Sequence, residues 1–239
     1  MKLLALDIET SGAVVRTFSL FKPFISHDAI LEEPRIICWS AQWYGQKKTM
    51  FMSEHHDGRK PMLEKLHELM VDADAIITYN GQGFDIPWIE GEFIVEDMPP
   101  TPAVTHIDLY RLIKSRTRFI SGKLDYVVKR LLDDRKIPHA GIELWNGCGR
   151  GDKKAWAIMK KYSIHDTALL IPAYDRLKPW IKSHPNRAII DERPDTCVVC
   201  GSDHLTIRGR YYTAKKSYPR YRCYDCGKWQ PTTYGKAIT

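Results

Sequence analysis

Residues 3–10 read Leu3-Leu4-Ala5-Leu6-Asp7-Ile8-Glu9-Thr10. An apolar run that ends in two carboxylates two positions apart decides the reading of this chain. In a strand, residues i and i+2 face the same side. Asp7 and Glu9 therefore point together from a strand that is otherwise core. Two like charges held side by side are costly unless a cation lies between them. An all-oxygen pair suits a hard divalent ion such as Mg²⁺ or Mn²⁺.

Outward from this strand, residues 11–34 show no clear period and read as an irregular insertion. Arg35 to Tyr44 (RIICWSAQWY) is aromatic and β-branched, as strands are, and 49–52 is expected to pair back across a turn. Residues 61–71 place apolar side chains at 62, 63, 66, 69 and 70, an amphipathic helix with Pro61 in its first turn. Short buried strands follow at 75–79 and 104–107. Helices are expected at 82–95, 108–117 and 123–133, and a long one over 153–181. Strands first and alternation afterwards indicate an α/β fold with a mixed β-sheet flanked by helices.

Two further acidic segments stand at informative places. Asn80-Gly81-Gln82-Gly83-Phe84-Asp85 leaves a strand through a Gly-rich turn, which puts Asp85 at a helix start on the end of the sheet where ligands bind. In the long helix, Tyr162 and Asp166 are four apart and share one face. Four carboxylates can thus converge: Asp7, Glu9, Asp85 and Asp166. Taken singly, Asp85 fits a helix cap, Tyr162 a core aromatic and Asp166 a surface charge. Their joint occurrence beside Asp7 and Glu9 argues for a site.

These three segments, in this order, resemble the DEDD superfamily of 3′–5′ exonucleases, which have an RNase H-like fold. The likeness spans roughly residues 3–175. The Tyr162-x-x-x-Asp166 spacing matches the tyrosine subclass, which includes the proofreading domains of family B DNA polymerases. The histidine subclass wants His where Lys161 stands, and His165 lies about 100° away around the helix. The resemblance implies two Mg²⁺ or Mn²⁺ ions. Asp7 would bridge them, Glu9 and Asp166 would hold the one carrying the attacking hydroxide, and Asp85 would support the second through water. Tyr162 would aim the attacking water. It also implies substrate contacts from Thr10 and Asn80. Phe84 is a candidate to pack on a base, with a core role as its rival. Lys136 is a candidate for the scissile phosphate, with Lys123 competing. The implied substrate is the 3′ end of a single-stranded nucleic acid, with DNA favoured.

The C-terminal residues carry a separate signal. Cys197-Val-Val-Cys200 and Cys223-Tyr-Asp-Cys226 are separated by 22 residues, and glycines follow both second cysteines. Four thiolates in two such knuckles make a closed tetrahedral Zn²⁺ site. His204 is a rival ligand, but four cysteines already fill the shell. A module this short has too little core to fold without its metal. It resembles a zinc ribbon of the kind found in some transposases, most closely over 220–229. Basic and aromatic residues alternate between the knuckles, which suits phosphate contact and base stacking. The competing reading is a structural ribbon, or one that docks a replication or recombination protein. The expected organisation is a nuclease domain over 1–182, a polar, proline-flanked linker over 183–194 and the ribbon over 195–239.

Composition fits this picture. The 239 residues carry a net charge of +7 and a sequence pI of about 9.0, which favours a polyanionic partner. No apolar run reaches transmembrane length, and the chain opens on a core strand with no leader pattern. A cytoplasmic location is expected, in a host cell if the protein is viral, as in a phage. Paired Cys-x-x-Cys motifs in a reducing compartment imply metal and not disulfides. Cys38 is read as core, and Cys148, in what looks like a Gly-rich loop, receives no role. The leading function is a metal-dependent 3′–5′ exonuclease acting in DNA replication, repair or recombination. The alternatives are a structure-specific endonuclease of the same fold and a non-catalytic nucleic-acid adaptor.

Overall fold

The computed structural model describes residues 1–18, 21, 24–138, 141–231 and 236–237. The chain divides into two compact units, one of residues 2–172 and one of residue 1 with residues 173–239.

The larger unit is built on a five-stranded mixed sheet. Its strands are β1 (Leu3–Thr10), β4 (Ile36–Trp43), β5 (Met50–Ser53), β6 (Ala75–Thr78) and β7 (Thr105–Asp108), in the order β5-β4-β1-β6-β7. β1 is central. It runs antiparallel to β4, with Asp7 opposite Ser40 and Glu9 opposite Cys38, and parallel to β6. The insertion at 11–34 is more ordered than its sequence suggests: β2 (Val14–Val15) and β3 (Ile30–Glu32) form a two-stranded ribbon. Within it, residues 19, 20, 22 and 23 lie outside the described residues.

Helices cover both faces. α1 (Glu54–Asp57), α2 (Arg59–Asp72) and α3 (Asp85–Val95) follow β5 and β6, and α4 (Leu109–Arg116) and α5 (Leu124–Leu132) follow β7. Pro61 and Pro87 each sit third in their helix, where the missing N–H has no intrahelical partner to lose. Leu4, Leu6 and Ile8 of β1 pack with Met62, Leu66 and Ile89 in the core under α2 and α3. The alternate residues of β1 face the other way. There α6 (Ile142–Gly149) and α7 (Lys153–Leu177) bring Leu144, Trp156, Met159 and Tyr162 against Ile37 and Cys38. This period-2 division puts Asp7 and Glu9 on the α7 side.

Cys148 corrects the sequence reading: it lies in a helix, not a loop, and is buried with Cys38. The composition Asn146-Gly147-Cys148-Gly149 misleads because Gly147 serves packing. A Cβ there would come 2.6 Å from the Ala155 Cβ.

The smaller unit holds α8 (Arg187–Ile190) and a sheet of β8 (Leu205–Tyr212), β9 (Lys216–Cys223), β10 (Trp229–Pro231) and β11 (Lys236–Ala237), all pairing with β9. Residues 183–194, expected as a linker, contain α8, whose Arg187 N–H donates to the Val198 carbonyl at 2.8 Å. Asp191 there accepts from the N-terminal ammonium at 2.8 Å and from Arg187 Nε at 2.7 Å. No helix among the described residues is long and apolar enough to cross a membrane.

Candidate active site

Two carboxylates come from β1 and one from α7. Asp7, Glu9 and Asp166 each offer an oxygen, and these atoms lie within 4.8 Å of one another. Asp85, the fourth expected residue, stands beside this group but outside it. Its Oδ1 accepts the Ile8 N–H at 3.1 Å, which ties the start of α3 to β1.

The electrostatics are those of crowded carboxylates. Burial, then the charges of Asp85, Glu9 and Asp166, push the Asp7 carboxyl well above its usual range. Burial and Asp166 push Glu9 up to about 8. Burial pushes Asp85 up to about 7, against the Ile8 N–H that favours its charge. Asp166 is raised by burial and relieved by Lys136. Each carboxylate thus loses water, and Asp7, Glu9 and Asp85 also gain a like charge.

Lys136 is the cation that partly balances them. It forms an ion pair with Asp166, and its Nζ donates to the Tyr162 hydroxyl oxygen at 2.9 Å. Burial opposes its charge, but Asp166 and Tyr162 together outweigh burial and the ammonium is held protonated. The Tyr162 phenol is raised by burial and by Asp166 and Glu9, so it keeps its proton at neutral pH.

The donor set fits a divalent ion. Asp166 Oδ1 is buried and has no hydrogen-bond partner among the described residues. An unmet carboxylate oxygen facing two more raised carboxyls is what a hard cation would satisfy.

The expected substrate residues separate by position. Lys136 contacts the constellation directly. Its rival Lys123 lines a groove of 500 Å³ with Tyr79, Asn80, Tyr110 and Lys136 itself. Phe84 is 39% exposed and tilted against Trp88 at 6.3 Å between ring centroids, so it is not core. Thr10 ends β1 just beyond a register shift at Glu9.

Asn80 adopts φ 68°, a left-handed conformation that Asn tolerates better than most residues. Buried Asp108 holds it there. Its carboxylate accepts the N–H groups of Asn80 at 2.9 Å, Gln82 at 3.3 Å and Arg111 at 3.2 Å. In the sequence, Asp108 stands out only as the first residue of the helix expected over 108–117. Its place between a strand and a helix signalled a cap, but nothing local signalled the turn 28 residues earlier.

The four cysteines form a second cluster. Their sulfurs lie within 4.8 Å of one another, with Cys197–Cys226 and Cys200–Cys223 each at 3.6 Å. A tetrahedral site with Zn–S near 2.3 Å spaces its sulfurs about 3.8 Å apart. Gly201 and Gly227 take φ of 75° and 78° at the two knuckles, where a side chain would be strained.

Comparisons with known proteins bear on the fold. A model of the RNase_H superfamily (RNase_H_2) matches residues 32–178. This covers Asp85, Tyr162 and Asp166, and begins after β1. A search of curated proteins found no match. Among solved structures, the family B DNA polymerase from the hyperthermophilic archaeon Pyrobaculum calidifontis matches with a TM-score of 0.57 at 16% identity, over 90% of this chain. The chain spans 31% of that polymerase.

Proposed function

The chain belongs to the RNase H superfamily, and from that premise we propose that it is a metal-dependent 3′–5′ exonuclease of the tyrosine DEDD type acting on single-stranded DNA. The observation that carries this reading is the meeting of Asp7, Glu9 and Asp166 within 4.8 Å, with Lys136 paired to Asp166 and donating to the Tyr162 hydroxyl.

Asp7, Glu9 and Asp166 would hold two Mg²⁺ or Mn²⁺ ions, with Asp85 supporting them from α3. Such ions supply an acidified water and neutralise charge on the transferring phosphate. The remaining work falls to the chain's own side chains. Tyr162 keeps its proton and would orient the water as a hydrogen-bond partner, not remove its proton. Lys136 would turn its ammonium from Asp166 to the non-bridging oxygens of the scissile phosphate, where negative charge develops. Asn80, fixed by Asp108, and Thr10 flank the carboxylates and would hold the terminal nucleotides. The exposed Phe84 ring would stack on a base.

The four cysteines would hold one structural Zn²⁺, making the smaller unit a zinc ribbon that assists nucleic-acid binding. A role at DNA ends in replication, repair or recombination follows from such a substrate.

The test is a time course on 5′-labelled single-stranded DNA with the wild type and Asp166→Asn. Shortening that needs Mg²⁺ or Mn²⁺ and is abolished by the substitution is expected. Equal rates for the two proteins would refute the site.

A further inference from the structure

The smaller unit contains a groove of 880 Å³ between the end of α7 and the cysteine knuckles. Two tryptophans line it, Trp180 at 64% exposure and Trp229 at 43%. Indoles are costly to leave in water, and two of them in a cleft of this size offer flat faces to a ligand. Arg176 and Arg222 line the same groove. The Arg220 guanidinium lies 4.8 Å from the Trp229 ring centroid, and that of Arg222 lies 6.0 Å from the ring of the exposed Tyr224.

The acidic side chains there have partners. Asp175 is paired with Lys178 at 2.6 Å, and Asp225 with His204 at 3.1 Å. Over residues 205–231 the chain carries Arg208, Arg210, Lys215, Lys216, Arg220, Arg222 and Lys228 against Asp225 alone. A groove that sets two tryptophans among Arg176, Lys178 and Arg222 calls for a ligand with flat apolar faces on an anionic backbone. An acidic protein would satisfy the charge but not the exposed Trp180 ring and the face of Trp229 away from Arg220.

We propose that this groove is a binding site for unpaired nucleotides of single-stranded nucleic acid, with bases stacking on Trp180 and Trp229 and phosphates on Arg176 and Arg222. It is built by the end of α7 and the cysteine module together, and shares no lining residue with the carboxylate site. The inference rests on the nuclease reading only for the identity of the strand. The groove would hold part of the strand and so keep the enzyme on a long substrate. Stacking is sequence-tolerant, because every base has a π-face.

The experiment uses the full chain carrying its zinc. Binding of a fluorescein-labelled 20-mer of thymidylate is followed by anisotropy, with Ca²⁺ in place of Mg²⁺ and the oligonucleotide shown intact on a gel. Trp180→Ala/Trp229→Ala is expected to bind at least tenfold more weakly, and Trp180→Phe/Trp229→Phe to stay within about threefold of wild type. Mn²⁺-dependent hydrolysis of the p-nitrophenyl ester of thymidine 5′-phosphate, which has no strand for the groove to hold, should be unchanged. Affinity within twofold of wild type for the alanine pair would overturn the proposal. So would an equal loss on a duplex of the same length, whose bases offer no open faces. If the alanine pair loses zinc, Trp180→Ala alone, away from the cysteines in sequence, carries the same comparison. Failure of the wild type to hydrolyse the small ester would count against the nuclease reading and leave the groove result standing.

Discussion

Ser40 lies directly opposite Asp7 in the β1–β4 register, and its hydroxyl donates to the carbonyl of Ser163 at 2.8 Å, one residue after Tyr162. The same hydroxyl meets Thr167 Oγ1 at 2.6 Å, one residue after Asp166. Both flanking side chains are fully buried. A small polar cluster therefore fixes the register of the helix that carries Tyr162 and Asp166 against the strand that carries Asp7. Ser40→Ala should leave these buried hydroxyls short of a partner and cost about 1–3 kcal/mol. It should also weaken Mn²⁺ binding measured by calorimetry. Unchanged melting and unchanged metal affinity would show that α7 is positioned without Ser40.

The raised carboxyls give the metal-free protein a defined pH response. Glu9 rises from 4.5 to about 8 and Asp85 from 3.8 to about 7. Groups with a raised folded pKa favour the fold fully below pH about 4, and that contribution is lost as pH rises towards 8. The melting temperature in chelator should fall between pH 5 and 8. Mg²⁺ should restore more of it at pH 8 than at pH 5.5, because a bound cation removes the repulsion. A melting temperature that is flat across this range would contradict the crowding of these groups.

Replacing one carboxylate with its neutral isostere separates stability from activity. Asp7→Asn removes charge from the centre of the cluster, so the metal-free protein should melt higher than wild type at pH 8. Cleavage should fall by at least 1000-fold, the scale on which a lost metal-site ligand acts. A variant that is both less stable and less active would indicate a general folding defect.

Lys136 is expected to have opposed effects on metal and rate. Its ammonium pairs with Asp166 and would compete with a divalent ion for that carboxylate. Lys136→Met should tighten Mn²⁺ binding while slowing cleavage by about 10²-fold, as removal of a transition-state charge partner does. Weaker metal binding would show that the lysine organises the carboxylates instead of competing for them.

Asp108 offers a test of the turn. Asp108→Ala strips three backbone N–H groups of their acceptor and should cost about 2–3 kcal/mol. Asn80 would be released, so KM for a single-stranded oligonucleotide should rise more than kcat falls. An unchanged KM would remove Asn80 from substrate binding.

What could be read in the sequence was what local periodicity encodes. The Asp7–Glu9 pair follows from period 2 in a strand, the Tyr162–Asp166 pair from period 3.6 in a helix, and the cysteine knuckles from two short spacings. The central strands and the long helix were legible for the same reason. Long-range events were not. Lys136 reaches Asp166 and Tyr162 from the segment after α5, and only the fold brings it there. The turn at Asn80 depends on Asp108, across a whole helix of intervening chain. Gly147 looked like a loop residue because a sequence does not show that α6 must approach Ala155 closely. The ribbon of β2 and β3 carries too few residues for any period to show.

The most direct measurement is a gel time course with a 5′-labelled single-stranded 20-mer and a covalently closed single-stranded circle, in Mn²⁺ and in chelator. A ladder that shortens from the 3′ end only with Mn²⁺, while the circle stays intact, is the result expected of Asp7, Glu9, Asp85, Tyr162 and Asp166 acting as an exonuclease site. Cutting of the circle would contradict it in favour of an endonuclease. Retention of both substrates uncut would contradict it in favour of a binding protein.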